Sequence, residues 1–138
     1  MAIIRQIKSN HILAITVGIV YVWFGVLKFF PALSPAENLA KNTIDIITIG
    51  LIPSKISIIM LATLETLIGS LLIMNIFRKK VLIIAFAHIL LTFVPFFVFT
   101  EDSFAVLPFS FTLLGQYIFK NIIIIGAIIT LYKLPKIK

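Results

Sequence analysis

The side chains able to do chemistry in this chain are few, and most of them sit inside long apolar runs. Glu65 is the clearest. It lies within ISIIMLATLETLIGSLLIMNIF, ten residues from Lys55 and about as far from the Arg78-Lys79-Lys80 cluster. At about 1.5 Å of rise per helical residue, it falls near the middle of a bilayer that this run would span. A charge at that depth costs about 2.5–3.5 kcal/mol on insertion scales, so it needs a reason to be there. Glutamate is too short to reach the headgroups. It is protonated, paired with a cation, or facing water, and the reading taken here is an interior site. The alternative is a neutral glutamate that only bridges helices.

Lys28 and Lys120 are the cations that could answer it. Each can instead extend its stem and leave the membrane at the headgroups. Taken together, Lys28, Glu65 and Lys120 are all expected between the outer surface and the midplane. One acid between two lysines offsets much of the burial cost and leaves about one positive charge. Such a place suits an anion or a polarised carbonyl oxygen.

His88 is expected seven residues inside its own run, as a proton shuttle or, preferred here, bonded to a backbone carbonyl. A two-histidine haem site would need His11, which sits at the membrane edge, so haem is not expected. With two histidines and no cysteine, thiolate clusters and histidine-rich metal centres are not expected either.

Helical spacing groups these residues. Ala14, Gly18, Tyr21, Gly25 and Lys28 form one stripe, and Ala62, Glu65 and Gly69 a second. Ala85, His88, Thr92 and Pro95 form a third. Gln116, Tyr117 and Lys120, with Asn121 adjacent, form the fourth. Small residues in such stripes let membrane helices approach closely. A packing seam accounts for the small residues but not for the ionisable ones. The candidate ligand-binding residues are therefore Lys28, Glu65, Gln116, Tyr117, Lys120 and Asn121, with Tyr21 and His88 secondary.

The elements that must position them are membrane spans. Of 138 residues, 61% are hydrophobic and 12% charged, against about 45–50% and 25% in soluble domains. Four segments have the roughly 20 apolar residues that a spanning helix needs: about 11–30, 56–77, 81–99 and 115–132, the last free to begin earlier in FSFTLL. A cleaved signal peptide would explain only the first.

The net charge of +7 is distributed to match. Arg5, Lys8, Arg78, Lys79, Lys80, Lys133, Lys136 and Lys138 all fall on one side of a four-span chain. The other side mixes Lys41 and Lys55 with Glu37, Asp45, Glu101 and Asp102. The positive-inside rule then places both termini in the cytoplasm, and no nucleic-acid partner is expected.

After the first span, Ser34-Pro35-Ala36-Glu37 reads as a helix start with a capping box, and Gly50 as its stop. Leu39, Ile46 and Ile47 would meet the membrane surface while Glu37, Lys41 and Asp45 face water. An interfacial helix and an ordinary connecting helix both fit. The aromatic stretch 100–114 is expected to lie in the interface. The expected fold is thus all-α: a membrane four-helix bundle forming one domain.

The segments YVWFGVLKFFPALSPAENL, LATLETLIGSLL and LLGQYIFKNIIIIGAII resemble, in that order, the DoxX family of small bacterial membrane proteins. The likeness is strongest to the branch with WFG-x-LKF, SPAE and GQYI-x-KN patterns, and it covers nearly the whole chain. Lys28, Glu65, Gly69, Gln116, Tyr117, Lys120 and Asn121 fall on its positions. Leu114 stands where that pattern often has a glutamate.

The resemblance implies a bacterial inner-membrane protein. Some relatives look like subunits of thiosulfate:quinone oxidoreductase, some associate with oxidative-stress enzymes, and a eukaryotic one acts in receptor assembly. The expected function is accordingly a subunit of a membrane redox system that binds a quinone or small anion, with the quinone or a partner carrying the electrons. A non-catalytic assembly factor or anchor, acting with a protein partner or as a homo-oligomer, is the alternative. Small-solute transport ranks below both, for want of an internal repeat or broken helix.

Overall fold

The computed structural model describes residues 2–133, with side chains described from Asn10 onward. Arg5 and Lys8 therefore enter only as backbone, and Lys136 and Lys138 lie outside the described residues. The elements in chain order are α1 (Ala2–Leu27), α2 (Glu37–Ile47), α3 (Ser54–Ile73), α4 (Arg78–Leu91), α5 (Pro95–Val98), α6 (Thr100–Ser103), β1 (Phe104–Val106), β2 (Ser110–Phe111) and α7 (Leu113–Lys133). Four stretches are long and apolar enough to cross a membrane: Asn10–Leu27, Ser54–Ile73, Arg78–Val98 and Leu113–Lys133. By length and composition this is a multi-pass membrane protein.

The boundaries differ from the expected ones for local reasons. The second span stops at Ile73, not near 77, because Asn75 and Phe77 take positive φ (57° and 47°) and turn the chain into α4. The third is interrupted before Pro95. Phe93 and Val94 donate to the third residue back, at 3.1 and 3.2 Å, and the proline has no N–H to continue the ladder.

Contacts set the long helices antiparallel to their neighbours. Gly18 and Gly25 of α1 face Gly69 and Thr66 of α3, so the numbers run in opposite directions. A Cβ on Gly69 would stand 2.5 Å from the Gly18 carbonyl and 2.7 Å from the Val22 nitrogen, so glycine here allows backbone contact. In the same way Arg78 of α4 reaches Leu131 of α7, while Thr92 reaches Asn121.

The capping box does not form. Ala36 is the N-cap of α2 and makes no side-chain cap, while Glu37 accepts from the Ala32 N–H at 2.8 Å. Ala32 has φ 65°, so the carboxylate holds a left-handed turn instead of closing on Ser34. The buried face of α2 is Glu37, Leu39 and Thr43, packed on α3. Leu39, expected at the membrane surface with Ile46 and Ile47, is buried against the protein, while Ile46 and Ile47 are exposed.

One departure from an all-helical chain is the short antiparallel pair β1–β2. Phe104 and Phe111 pair across it, and stack with Phe96 (5.3 and 5.4 Å) and Phe119 (4.9 Å from Phe111). These rings tie the 100–114 segment to α5 and α7.

The apolar core joins all four long helices toward the start of α4 and the end of α7, with Ala14, Val17, Leu72, Leu82, Ala85 and Leu131 among its members.

Candidate functional site

Four side chains from three helices form one continuous polar chain. Lys28, just beyond the end of α1, donates to Glu65 Oε2 of α3 at 2.6 Å. The other carboxylate oxygen, Oε1, lies 3.3 Å from His88 Nε2 of α4. The far ring nitrogen, Nδ1, is 3.2 Å from the Tyr21 hydroxyl of α1, which is also 3.1 Å from the Ala85 carbonyl. The side chains of Lys28, Glu65 and His88 are each only 9% exposed, so the pair and its imidazole neighbour are enclosed by protein.

Local geometry explains why these residues meet. Tyr21 and Lys28 are seven apart, two turns on one face of α1. Gly25 lies between them and lets α3 approach, since a Cβ there would be 2.6 Å from Thr66 Oγ1 and 3.0 Å from Glu65 Cβ. The close approach delivers Glu65 to Lys28. Lys28 also donates to the Phe24 carbonyl at 3.3 Å, which folds its stem back along α1 instead of outward to the headgroups.

Both Glu65 oxygens face nitrogens, Lys28 Nζ at 2.6 Å and His88 Nε2 at 3.3 Å, the kind of partnering a carboxylate needs when it is kept away from water. No buried side-chain nitrogen or oxygen among the described residues lacks a partner.

Beside the chain lies a cavity of about 1050 Å³. Tyr21, Lys28, Glu65 and His88 contribute polar wall, as do Thr92, Tyr117 and Asn121. The rest is mostly aliphatic, from Phe24, Leu39, Ile44, Ile118, Ile124 and others. Ile59 and Met60 of α3 and Ile83 and Leu91 of α4 line it while remaining about half exposed, so the cavity opens sideways between those helices. α2 covers another side through Leu39, Thr43 and Ile47.

The structure brings together five of the eight candidates named from sequence along one wall: Lys28, Glu65, Tyr21, His88 and Asn121. Asn121 donates to Thr92 Oγ1 at 2.9 Å. Tyr117 borders the cavity while 44% exposed.

Lys120 does not join Lys28 and Glu65. It is exposed, with its amine 5.5 Å over the Tyr117 ring. Gln116 is exposed as well. Both lie two residues from Ile118, which faces inward, and two helical residues turn the side chain about 200°. The expected cluster of two lysines and one acid is therefore one lysine, one acid and one histidine.

His88 pairs with the Tyr21 hydroxyl and stands 3.3 Å from the Glu65 carboxylate rather than bonding a backbone carbonyl. Tyr21 and His88 each lie in the stripe of their own helix, but stripes do not say which ones face each other. His11 is exposed and apart from the group. Among the described residues no three His, Asp or Glu side chains are placed to hold a metal ion.

Arg78 also departs from expectation. It reads as one of a solvated basic cluster, yet it is 3% exposed and donates to the Leu131 carbonyl at 3.2 Å, capping the end of α7. Its position in RKK does not separate it from Lys79 and Lys80, though its guanidinium, more weakly hydrated than an ammonium, suits burial better.

Comparison with known proteins adds no assignment: no family model, curated protein or solved structure matches the chain.

Proposed function

We propose that this chain is a DoxX-like protein of the bacterial cytoplasmic membrane whose cavity binds the head of a quinone. It acts there as the quinone-binding subunit of a membrane redox system, with a partner protein exchanging the electrons. In this reading the four long helices form a spanning bundle, and α2 lies at the outer interface. The basic residues at both termini and at the start of α4 put those ends in the cytoplasm.

One observation carries the reading: a donor-bearing polar wall faces an otherwise apolar cavity that opens between half-exposed helix flanks. A quinone is an apolar ring with two carbonyl oxygens. It partitions into lipid, needs a slot reachable from lipid, and is oriented by a few hydrogen-bond donors. Lys28 supplies such a donor. Its ammonium has three N–H groups, and two are used, on Glu65 and Phe24. The resemblance of the Lys28, Glu65 and GQYI-x-KN segments to DoxX sequences points the same way.

The test is quinone content and affinity of the protein purified from its native membrane into lipid nanodiscs. The expected result is quinone extractable in proportion to protein, with decylubiquinone binding saturably. Lys28→Met should weaken that binding by about tenfold or more, the loss of one hydrogen bond to a charged donor, while Lys120→Gln leaves it unchanged. Equal uptake by wild type, Lys28→Met and empty nanodiscs would refute the reading.

A further inference from the structure

We propose that the cavity takes a weakly acidic ligand, a phenol-type hydroxyl such as a quinol carries, and splits it. The proton goes to His88 by way of Tyr21, and the ring stays as an anion held by Lys28. This rests on the reading of the cavity as a quinone-type site and adds a proton acceptor to it.

Hydrogen-bond accounting leads there. A carboxylate only accepts. Glu65 has Lys28 on one oxygen at 2.6 Å, so His88 Nε2, 3.3 Å from the other, carries a hydrogen toward it. In the neutral ring Nδ1 is then a lone pair, and the Tyr21 hydroxyl donates to it across 3.2 Å. That hydroxyl has a second acceptor, the Ala85 carbonyl at 3.1 Å. It has one proton and two places to put it.

The spare acceptor is what lets the ring change state. If Nδ1 gains a proton it becomes a donor to the Tyr21 oxygen, and the Tyr21 O–H turns to Ala85. Every hydrogen bond is kept and no heavy atom moves. A tyrosine that served only as a staple between α1 and α4 would need one acceptor.

The step balances as an acid–base transfer. The ligand O–H bond breaks, its proton forms a new O–H bond on Tyr21, and the former Tyr21 proton forms N–H on Nδ1. The ligand oxygen keeps the electron pair, and nothing is oxidised or reduced.

Charge accounting agrees. With the cavity empty, Lys28 and Glu65 sum to zero. After a neutral acid has entered and split, imidazolium faces Glu65, the anion faces Lys28, and the sum is still zero. An apolar surrounding penalises net and unpaired charge, so this is the form of uptake it opposes least.

The groups around His88 allow this assignment. α1 presents Tyr21 and, through Glu65, Lys28. α3 presents Glu65 and α7 the uncharged Asn121, while Lys120 is exposed and Glu37 of α2 is paired with Lys41. Arg78, on the same helix as His88, is ten residues away and bonded to Leu131. Because the Lys28 ammonium folds back to the Phe24 carbonyl, it stands about one to two helical turns from Tyr21, or ~5–10 Å. A para-substituted ring can bridge that interval, with its hydroxyl at one group and its delocalised charge at the other.

The experiment uses 4-nitrophenol, which absorbs visibly only when ionised, with the full-length protein in nanodiscs buffered below the probe's own pKa. Bound probe is measured by equilibrium dialysis and its ionised fraction by absorbance. The expected result is saturable binding with the probe ionised. His88→Asn should bind the probe but lower the ionised fraction by about tenfold, equivalent to one pKa unit. Tyr21→Phe should do the same with His88 intact, and covers the case in which His88→Asn does not fold. Lys120→Gln should change nothing.

Probe bound but un-ionised in wild type overturns the proposal and leaves the quinone reading standing. So does binding of decylubiquinone without the phenol. An ionised band that survives His88→Asn or Tyr21→Phe also overturns it. Failure of both decylubiquinone and the phenol to bind removes the underlying reading as well.

Discussion

Around Gly18, Leu72, Leu82 and Leu131 the long helices close on one another, whereas around Lys28, Glu65 and Tyr117, where α1 and α3 still touch at Gly25, a cavity is left beside them. The closed region is built from small and aliphatic residues. Gly18 meets Gly69 and Ile73 at backbone distance, with no room for an added Cβ. The open region is built from side chains that cannot be left to lipid. Its helices are held by the Lys28–Glu65 pair, the His88–Tyr21 link and the Asn121–Thr92 bond, which fix positions without filling space. In a bilayer the hydrophobic effect does not drive helices together, so packing and hydrogen bonds must do so. At one end this protein relies mainly on packing, with the Arg78–Leu131 bond added, and at the other on polar bonds beside the single close contact at Gly25, where room for a ligand is left.

Mutations should separate the two regions, and the largest effect falls in the open one. Lys28→Met leaves Glu65 buried without its cation and should lower stability by about 3–5 kcal/mol. Thermal unfolding in nanodiscs would measure it. The double variant Lys28→Met/Glu65→Gln should recover most of the loss, because the orphaned charge goes with its partner. If the double is no better than the single, the cost lies in packing, and the contrast between the regions fails.

In the closed region, Leu82→Ala should cost about 2 kcal/mol. This is the low end of the core range, because lipid solvates the exposed residues as well as the core does. Decylubiquinone affinity should not change. Gly69→Ala comes next. Its methyl would press on the Gly18 carbonyl and Val22, and the expected cost is about 1–2 kcal/mol. Thermal unfolding reads both.

Asn121→Ala should cost about 0.5–1 kcal/mol of stability while altering ligand affinity, the reverse of the pattern for Leu82. A variant that moved both readouts equally would show the two regions to be coupled.

The smallest effect concerns α2, which covers the cavity from outside the long helices. Its Glu37 carboxyl is held below the usual value of 4.5, first by the hydrogen bond from Lys41 and then by the Ala32 N–H. A depressed carboxylate contributes stability above its unfolded value, and that contribution is lost as pH falls through the folded one. Docking of α2 should therefore loosen only below about pH 4.5. Hydrogen exchange of the α2 amides would follow this, and Glu37→Gln should remove the pH dependence.

The sequence alone determined the membrane character, the four long apolar helices and the place of Glu65 midway along the second of them. Run length, apolar content and charge position are properties of the chain itself, and a bilayer reads them directly. Near-periodic stripes also marked the inward faces of the first three spans, but not of the fourth, where Gln116 and Lys120 are exposed. What only the tertiary structure decided is which stripe meets which. Lys28 and Lys120 look equivalent along the chain. The rotation of α7 about its axis sends one outward, and the close contact at Gly25 brings the other onto Glu65. His88 and Tyr21 are 67 positions apart, and no local pattern ties them. Arg78 belongs to the same basic run as Lys79 and Lys80, and only the end of α7 beside it gives it a buried carbonyl partner. Pairing between helices depends on their rotation and offset, which arise from packing all four together and leave no mark on any one segment.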